Sequence, residues 1–435
     1  MREQGAPIFY VALAHTDNLA FFTEDGNETQ TVRMSNTRIF PPSIRDNLLF
    51  SMSYDSSIHY RCHAGVGDPR CKTALESARL RWSEPRRLFA DCGAFQYRSM
   101  DVPVNSSGKE ITAASVWSHY ESSHLGSETF SWDEILLCSP DHIITPDMDD
   151  EMAEERLEFS RRQAADFLEL TTSEPRVTPV AVIHGRTIEE RKVQYDEFIR
   201  MGYEYIALGG MVPLSGKRNL VLELIAGIVD PEKPRINEDS ILARCRRDGV
   251  RMHIFGLNSP DWIRWWYRLG IDSFDGSKLS TEGAANGWYW CPKDSQGEGR
   301  EYPPNPSNAS ELYHKIAVDK MGFREWAWSG EELLTPSVPI TESGIDTTCH
   351  CPACEYLYNA RCTSPRCWKW KEDDGLIRHN CDPRMMGSTE HNMGRVAHNA
   401  HVMDWILQQI ETLVDRANRE QDDWLRNWRV VEMER

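Results

Sequence analysis

The chain contains no apolar run long enough to cross a bilayer, and its first residues, Met1 to Gly5, lack the pattern of a signal peptide. Basic residues are also scarce, because 49 Lys and Arg stand against 67 Asp and Glu, which gives a formal net charge of -18. This balance disfavours a protein that coats nucleic acid with its whole surface, but it allows a local basic face. We therefore expect a cytoplasmic protein without membrane contacts. If it binds a polyanion, we expect binding through a local basic face.

A secreted disulfide framework is also unexpected, because the 12 cysteines are spread over 435 residues and half of them lie between Cys349 and Cys381. Three cysteines of this cluster are spaced so that their thiolates can bind one ion: Cys349, Cys351 and Cys354. A later histidine would be the fourth ligand. This pattern predicts a structural zinc site, because a closed set of four ligands leaves no position for a substrate.

Two histidines compete for the fourth zinc position. His398 opens the last predicted helix and is favoured, while His391 offers the same His-Asn dipeptide earlier in the chain. The remaining cysteines of the cluster match no second site by spacing and are expected to be free thiols: Cys362, Cys367 and Cys381.

Short apolar runs alternate with segments of helical period over the first two thirds of the chain. Eight runs read as strands: Ile8 to Leu13, Leu48 to Met52, Leu88 to Ala90, His142 to Ile144, Val180 to Ile183, Tyr205 to Leu208, Met252 to Phe255 and Ile271 to Phe274. Eight strands with intervening helices predict a (β/α)8 TIM barrel. A doubly wound open sheet is the alternative, although no Gly-rich dinucleotide fingerprint follows an early strand.

The predicted barrel occupies residues 1–335, with a Pro- and Gly-rich surface insertion at about 288–310. Residues 336–435 are assigned to a C-terminal zinc-binding subdomain that ends in a helix. This helix starts near Ala400 and has an apolar stripe that includes Val402, Ile406 and Ile410, which is most simply a face that packs on the core.

Polar residues follow several of the predicted strands: Asp91, Asp147, His184, the pair Gly209-Gly210, and Asp275. A single Asp after a strand most often caps a turn, but the carboxyl ends of parallel barrel strands share one mouth, where such enzymes carry their chemistry. Two carboxylates there can cleave a glycosidic bond, one as nucleophile and one as acid/base. A metal-dependent barrel hydrolase remains an alternative, although one His with several Asp matches multi-His metal sites poorly.

The same residues carry a resemblance to a known family. The segment from Asp91 to Gln96 resembles the Asp-Ser-Gly-Gly-Phe-Gln motif of tRNA-guanine transglycosylases, and the segment from Leu208 to Leu214 is similar to its Gly-Gly loop. Gly270 to Asp275 resembles its Gly-Ile-Asp-Met-Phe-Asp motif, and Cys349 to Cys354 repeats its zinc spacing. These motifs follow the family order over most of Leu88 to Ala417.

The resemblance implies a role for each matching residue. Asp275 would be the nucleophile of a covalent enzyme–nucleotide intermediate, and Asp91 would be the general acid/base. Asp147 would bind the Watson–Crick edge of guanine, with His184 beside it in place of the usual Gln. The backbone amides of Gly209 and Gly210 would face the base carbonyl, and Phe95 and Gln96 would complete the base site. Zinc would be held by the three cysteines and His398.

Departures from the family pattern point to the substrate. Leu214 and Ser215 stand where bacterial members carry a Glu that pairs with an ammonium group, so a neutral nitrile is the better fit and 7-cyano-7-deazaguanine (preQ0) is the expected incoming base. The segments that hold tRNA in the family are altered to Leu279-Ser280-Thr281 and Ala285-Asn286-Gly287. The chain therefore looks most like the DNA-modifying DpdA branch, which exchanges guanine in DNA for a 7-deazaguanine.

Besides the metal-dependent hydrolase already considered, two other functions stay open at this point. The chain could be a transglycosylase that acts on tRNA, or a non-catalytic zinc-containing module that binds nucleic acid. Retention of both Asp91 and Asp275 argues against the second. A homodimer or a partner protein is also compatible with the sequence.

Overall fold

The structure is a computed structural model. It describes residues 6–12, 18–22, 29–33, 40–52, 86–105, 108–122, 132–145, 147–230, 235–280, 288–292, 313–317, 368–371, 377–380, 396–408 and 410. Within these residues, three antiparallel strand pairs lie outside the main sheet, and they join Asn18–Phe22 with Thr29–Arg33, Trp288–Pro292 with Tyr313–Ala317, and Trp368–Lys371 with Ile377–Asn380.

Eight parallel strands form a closed barrel. In chain order they are β1 (Ile8–Ala12), β2 (Asn47–Ser51), β3 (Arg87–Asp91), β4 (Glu134–Cys138), β5 (Val177–Ile183), β6 (Tyr205–Leu208), β7 (Arg251–Ile254) and β8 (Ser273–Gly276). Each strand pairs with its neighbour in sequence, and β8 closes the ring by pairing with β1. The predicted (β/α)8 barrel is confirmed.

The barrel has a packed interior, because side chains alternate between the two faces of each strand. Phe89 and Leu136 point into the barrel with Tyr10 and Val182, whereas Leu88 and its outward neighbours belong to the larger core between strands and helices. These side chains therefore fill the middle of the barrel.

In the part of the chain that the structure describes, six helices of eight or more residues lie between consecutive barrel strands: Ala113–Tyr120, Asp150–Thr171, Ile188–Met201, Arg218–Ala226, Ile241–Asp248 and Pro260–Arg268. Several begin at side-chain caps, as where the Asp149 carboxylate accepts a hydrogen bond of 2.9 Å from the Met152 amide. A further helix at 396–408 buries Val402 and Ile406 in the main core, which confirms that its apolar stripe packs on the core.

One predicted strand is wrong. The fourth strand is Glu134–Cys138, and the apolar run from His142 to Ile144 is irregular. That run has buried backbone groups that bond to side chains of the following helix. Ser160 Oγ accepts from the His142 amide at 3.1 Å, and Arg156 donates to the Ile143 carbonyl at 2.6 Å. These contacts replace the strand ladder that the β-branched residues suggest.

The proposed boundary between barrel and zinc subdomain, and the cysteines that define the subdomain, lie outside the described residues. The predicted insertion starts with Trp288–Pro292, which is a strand that pairs antiparallel with Tyr313–Ala317. In the stretches that the structure describes, no helix combines the length and the apolar character that crossing a membrane requires.

Candidate active site

A cavity of about 370 Å³ opens at the carboxyl ends of the barrel strands. Its wall includes Asp91, Asp141, His184, Gly209, Phe255 and Asp275. The volume is that of a pocket for a small ligand, and the position is where parallel barrels bind their substrates. Most of the predicted site residues are thus brought together at one mouth.

Asp275 lies on β8 and is 8% exposed. Its Oδ1 atom accepts a hydrogen bond of 2.8 Å from the Gly256 amide and lies 3.4 Å from His253 Nε2. Gly256 has φ +77°, and a Cβ atom there would lie 2.2 Å from Val212 Cγ2, so this close amide donor requires glycine. Among the described residues, Oδ2 of Asp275 has no hydrogen-bond partner and remains available to a ligand.

His253 lies directly beneath Asp275 and is fully buried. Its ring is 4.1 Å from the Phe89 ring, between centroids, and its Nδ1 atom is 2.7 Å from Ser273 Oγ. Burial lowers the pKa of His253, although the hydrogen bond and charge of Asp275 act in the opposite direction. The imidazole is therefore neutral at neutral pH.

Asp91 ends β3 on another part of the same wall. Burial raises the pKa of its carboxyl to about 7, and the charges of Asp141 and Asp275 add to this effect. The hydrogen bond of 3.1 Å that Asp91 accepts from the Gly93 amide opposes the shift. A carboxyl that exchanges its proton near neutral pH is suited to general acid/base catalysis.

Asp141 is a wall residue that the sequence analysis missed. It is 4% exposed, and both of its carboxylate oxygens are engaged. Oδ2 lies 2.6 Å from His184 Nε2, and Oδ1 accepts from Cys92 Sγ at 3.1 Å. Burial raises the pKa of the Cys92 thiol, as do the charges of Asp141 and Asp91, so the thiol keeps the proton that it donates. The apolar run Glu134–Cys138 followed by Ser139-Pro140-Asp141 is the signal that could have identified it.

The structure does not bring Asp147 into the cavity. Its side chain is exposed on the turn that precedes the helix Asp150–Thr171, and it is not part of the cavity wall. The misplaced fourth strand explains this difference, because a strand ending at Ile144 would have carried Asp147 to the mouth. With the strand at Glu134–Cys138, Asp141 occupies that position.

His184 and the two glycines form a tightly packed part of the wall. A Cβ atom at Gly209 would lie 2.2 Å from His184 Cε1, so the imidazole occupies the space that a side chain would need. Gly210 has φ +71°, a conformation that glycine adopts without strain. Within the described part of the chain, buried His184 Nδ1 has no hydrogen-bond partner, and a bound ligand could provide one.

Phe95 and Gln96 line the outer part of the cavity. Phe95 is 48% exposed, and the Arg98 guanidinium lies over its ring at 3.9 Å from the centroid. The Arg98 side chain also donates to the Phe95 carbonyl at 2.5 Å. The pair forms an exposed cation–π platform at the cavity mouth, with one aromatic face and one positive charge.

Two groups of residues bear on metal binding. Ligand atoms of Asp91, Cys92 and Asp141 lie within 4.8 Å of one another, close enough to hold a metal ion, but the Cys92 thiol already donates to Asp141. The predicted zinc cysteines lie outside the described residues. His398, the favoured fourth ligand, is 4% exposed in the helix at 396–408.

A closed parallel barrel with three carboxylates and a histidine around one mouth has the architecture of a barrel enzyme. No family model matches the sequence. The chain is 29% identical over 205 residues to a DNA-guanine transglycosylase of Salmonella montevideo. The aligned part covers 45% of this chain and 42% of the relative, so the chain matches less than half of that protein's length. This similarity agrees with the resemblance to guanine transglycosylases over the aligned part of the chain.

Proposed function

We propose that this protein is a DNA-guanine transglycosylase that exchanges guanine in DNA for preQ0 through a covalent intermediate on Asp275. The arrangement of two carboxyl groups in one cavity carries this proposal. Asp275 has one oxygen held by the Gly256 amide and one oxygen without a partner among the described residues, while Asp91 has a pKa of about 7. One group is thus suited to attack and the other to proton transfer.

In the first half-reaction, Asp275 attacks C1′ of the target nucleotide. The new bond joins a carboxylate oxygen to C1′, the bond between C1′ and N9 of guanine breaks, and its electron pair goes to the base. Asp91 in its protonated form gives its proton to the departing base. The products are free guanine and an ester between Asp275 and the DNA sugar.

In the second half-reaction, ionised Asp91 takes the proton from N9 of preQ0. The nitrogen attacks C1′, and the bond to Asp275 breaks with its electron pair returning to the carboxylate. Two successive displacements at one carbon retain its configuration, as in retaining glycosidases. The residues finish in their starting protonation states, so the exchange needs no further reactant.

We assign base recognition to the part of the wall that contains Asp141 and His184. Asp141 is the carboxylate in position to accept hydrogen bonds from the guanine edge, with a role that the sequence analysis gave to Asp147. His184 Nδ1 and the backbone of Gly209 and Gly210 supply further polar contacts, and Phe95 supplies an aromatic face for stacking. One planar base bound between these groups would contact all of them at once.

The cavity wall favours a neutral substituent on the incoming base. Carboxylates of the described wall are Asp91, Asp141 and Asp275, and these are assigned to chemistry and to the purine edge. The segment after the two glycines contributes apolar Val212 and Pro213, while Leu214 is buried in the core. An ammonium group would have no partner there, so a nitrile, as in preQ0, fits better than an aminomethyl group.

A cavity at the end of a barrel can accept one nucleotide but not a stacked duplex. The target guanine must therefore leave the base stack, and the exposed platform of Phe95 and Arg98 is placed at the mouth to meet it. With a net charge of -18, the protein is expected to confine its DNA contacts to such local positive groups.

Zinc is proposed as a structural ion held by Cys349, Cys351, Cys354 and His398. When bound, it would tie the C-terminal cysteine cluster to the buried helix at 396–408, and it would take no part in the exchange. Elemental analysis of purified protein should find one zinc per chain, and Cys351→Ser should lower that content.

The deciding experiment offers radiolabelled preQ0 to the full-length protein together with duplex DNA or tRNA. Label in DNA alone supports the proposal, and label in tRNA alone would assign the chain to the tRNA-modifying enzymes. Label in neither polymer, with retained binding of nucleic acid, would favour the non-catalytic module. A labelled base other than preQ0, supplied in parallel, tests the choice of substituent.

A further inference from the structure

A continuous line of buried polar groups runs beneath Asp275 in the barrel interior. Tyr205 Oη lies 2.6 Å from Ser273 Oγ, which lies 2.7 Å from His253 Nδ1, and His253 Nε2 lies 3.4 Å from Asp275 Oδ1. The residues come from three adjacent strands, β6, β7 and β8, and the parallel register places Ser273 directly beside His253. The exchange described above assigns no role to Tyr205, Ser273 or His253.

The surroundings of this line are apolar. His253 and Ser273 are fully buried and Tyr205 is 2% exposed. Phe89 and Phe255 flank the His253 ring, with centroids at 4.1 Å and 4.7 Å. Buried polar groups in such a place are costly unless each has a partner, and here each group has its partner in the next member of the line.

The chemistry of the groups sets the direction of the hydrogen bonds. A carboxylate only accepts, so the proton between His253 and Asp275 must lie on Nε2. Burial keeps the imidazole neutral by lowering the pKa of His253, and a neutral ring has one N–H, so Nδ1 accepts from Ser273. Burial also raises the pKa of Tyr205, whose retained proton is available to Ser273 Oγ. Every donor therefore points toward Asp275.

We propose that His253, fixed by Ser273 and Tyr205, is a positioning residue that holds Asp275 Oδ1 together with the Gly256 amide and so presents Oδ2 as the atom that attacks C1′. This inference rests on the proposed function. The bond between Oδ2 and C1′ forms as the bond between C1′ and N9 breaks, the electron pair goes to N9, and the proton comes from Asp91. The proton on His253 Nε2 stays in place throughout.

A neutral donor suits this role better than a charged one. An imidazolium would form an ion pair with Asp275 and would stabilise the free carboxylate more than the transition state, which has lost part of that charge. A neutral N–H orients the carboxylate at lower cost to its reactivity. After attack, Oδ1 becomes the carbonyl oxygen of the ester and can accept the same two hydrogen bonds, so the same donors serve both states.

The first test reads the tautomer and needs no turnover. Full-length protein labelled with ¹⁵N-histidine is recorded by long-range ¹H–¹⁵N NMR, and the His253 signals are assigned by their loss in His253→Gln. The expected ring is neutral with its proton on Nε2, and Ser273→Ala should shift the Nδ1 resonance. A proton on Nδ1, or a doubly protonated ring at neutral pH, would overturn the proposal whatever reaction the protein performs.

The second test measures the single-turnover rate at which a covalent protein–DNA adduct forms. His253→Leu removes the donor and should slow this rate by about 10- to 100-fold, as expected for loss of one hydrogen bond to a charged group. Binding of free preQ0 should stay unchanged. His253→Gln, whose amide can reach the place of Nε2, should recover most of the rate.

Tyr205→Phe, at the far end of the line, should slow adduct formation by a smaller factor than His253→Leu. Its matched control is Tyr203→Phe, because Tyr203 is an equally buried tyrosine that donates to the Ala164 carbonyl at 2.7 Å in the outer layer. Equal loss of rate and of preQ0 binding in both His253 variants, or a wild-type rate in His253→Leu, would reject the positioning role. Absence of any adduct with the wild type would instead reject the proposed function. The NMR measurement of the His253 tautomer would still test the hydrogen bonds from Tyr205 through Ser273 to His253.

Discussion

Two His–Asp pairs lie at the cavity wall or directly beneath it, and their hydrogen bonds differ. His184 Nε2 lies 2.6 Å from Asp141 Oδ2, whereas His253 Nε2 lies 3.4 Å from Asp275 Oδ1. Asp141 is engaged at both oxygens, since Cys92 donates to the other one. Asp275 is engaged only at Oδ1 among the described residues, which leaves one oxygen toward the cavity.

The difference separates a carboxylate built for recognition from one built for reaction. A carboxylate held at both oxygens keeps one orientation, which suits hydrogen bonding to the edge of a planar base. A carboxylate held on one oxygen keeps its orientation while the other oxygen can form and break a bond. Asp91 interacts with both carboxylates, because their charges add to the burial that raises its pKa to about 7.

The largest expected effect comes from Asp275→Asn. The amide keeps an oxygen for the Gly256 amide but cannot act as the nucleophile, so adduct formation should fall by about 10³-fold or more. Denaturing gels of protein incubated with duplex DNA should show the adduct in the wild type only. Retained binding of preQ0 by the variant is the control for folding, and an adduct that survives the substitution would place the nucleophile elsewhere.

A second effect concerns pH and Asp91. The pKa of this carboxyl rises from 3.8 to about 7, so its protonated form dominates below that pH and is lost above it. Adduct formation uses the protonated form and should decline about tenfold per pH unit above neutrality. The rate of adduct formation, measured in quenched reactions at a series of pH values above 7, would show this decline.

Asp91→Asn is the matched variant for the pH experiment. Its adduct formation should be about 10²- to 10⁴-fold slower, because the general acid is missing, and it should no longer follow the pH dependence of the wild type. A variant that keeps the alkaline decline would show that another group donates the proton.

The smallest expected effect is on preQ0 binding, and it distinguishes Asp141 from Asp147, the two Asp residues that follow the fourth strand. Asp141→Asn should weaken preQ0 binding by about 10- to 100-fold, because an amide cannot accept at both positions from the purine edge. Asp147→Asn should leave binding unchanged, since its side chain is exposed outside the cavity wall. Isothermal titration of both variants decides between them, and the reverse result would return the base-binding role to Asp147.

Several elements of the site follow from local sequence. Asp91 and Asp275 lie at the carboxyl ends of short apolar strands, and Gly209 and Gly210 directly follow another strand. Their place at the cavity mouth therefore follows from the strand pattern alone. Phe95 and Gln96 reach the wall through the same segment as Asp91. The barrel itself follows from the alternation of strands and helices, because such a chain buries its apolar faces by closing one parallel sheet.

Asp141 and His253 are the residues that local sequence left unassigned. His142 to Ile144 has the composition of a strand, yet its backbone bonds to Ser160 and Arg156, which are distant in sequence and adjacent only in the fold. His253 lies inside a strand, where an imidazole is most simply a core residue.

The sequence by itself determined the class of fold, the order of the strands and the acids at their ends, because hydrophobic periodicity acts over neighbouring residues. The tertiary structure alone decided which carboxylate is held at both oxygens and which is held at one. That choice depends on donors from the segments that follow other strands, His184, Cys92 and the Gly256 amide, and on burial that raises the pKa of Asp91 and lowers that of His253. Such effects arise from distances between residues far apart in the chain, which no local pattern encodes.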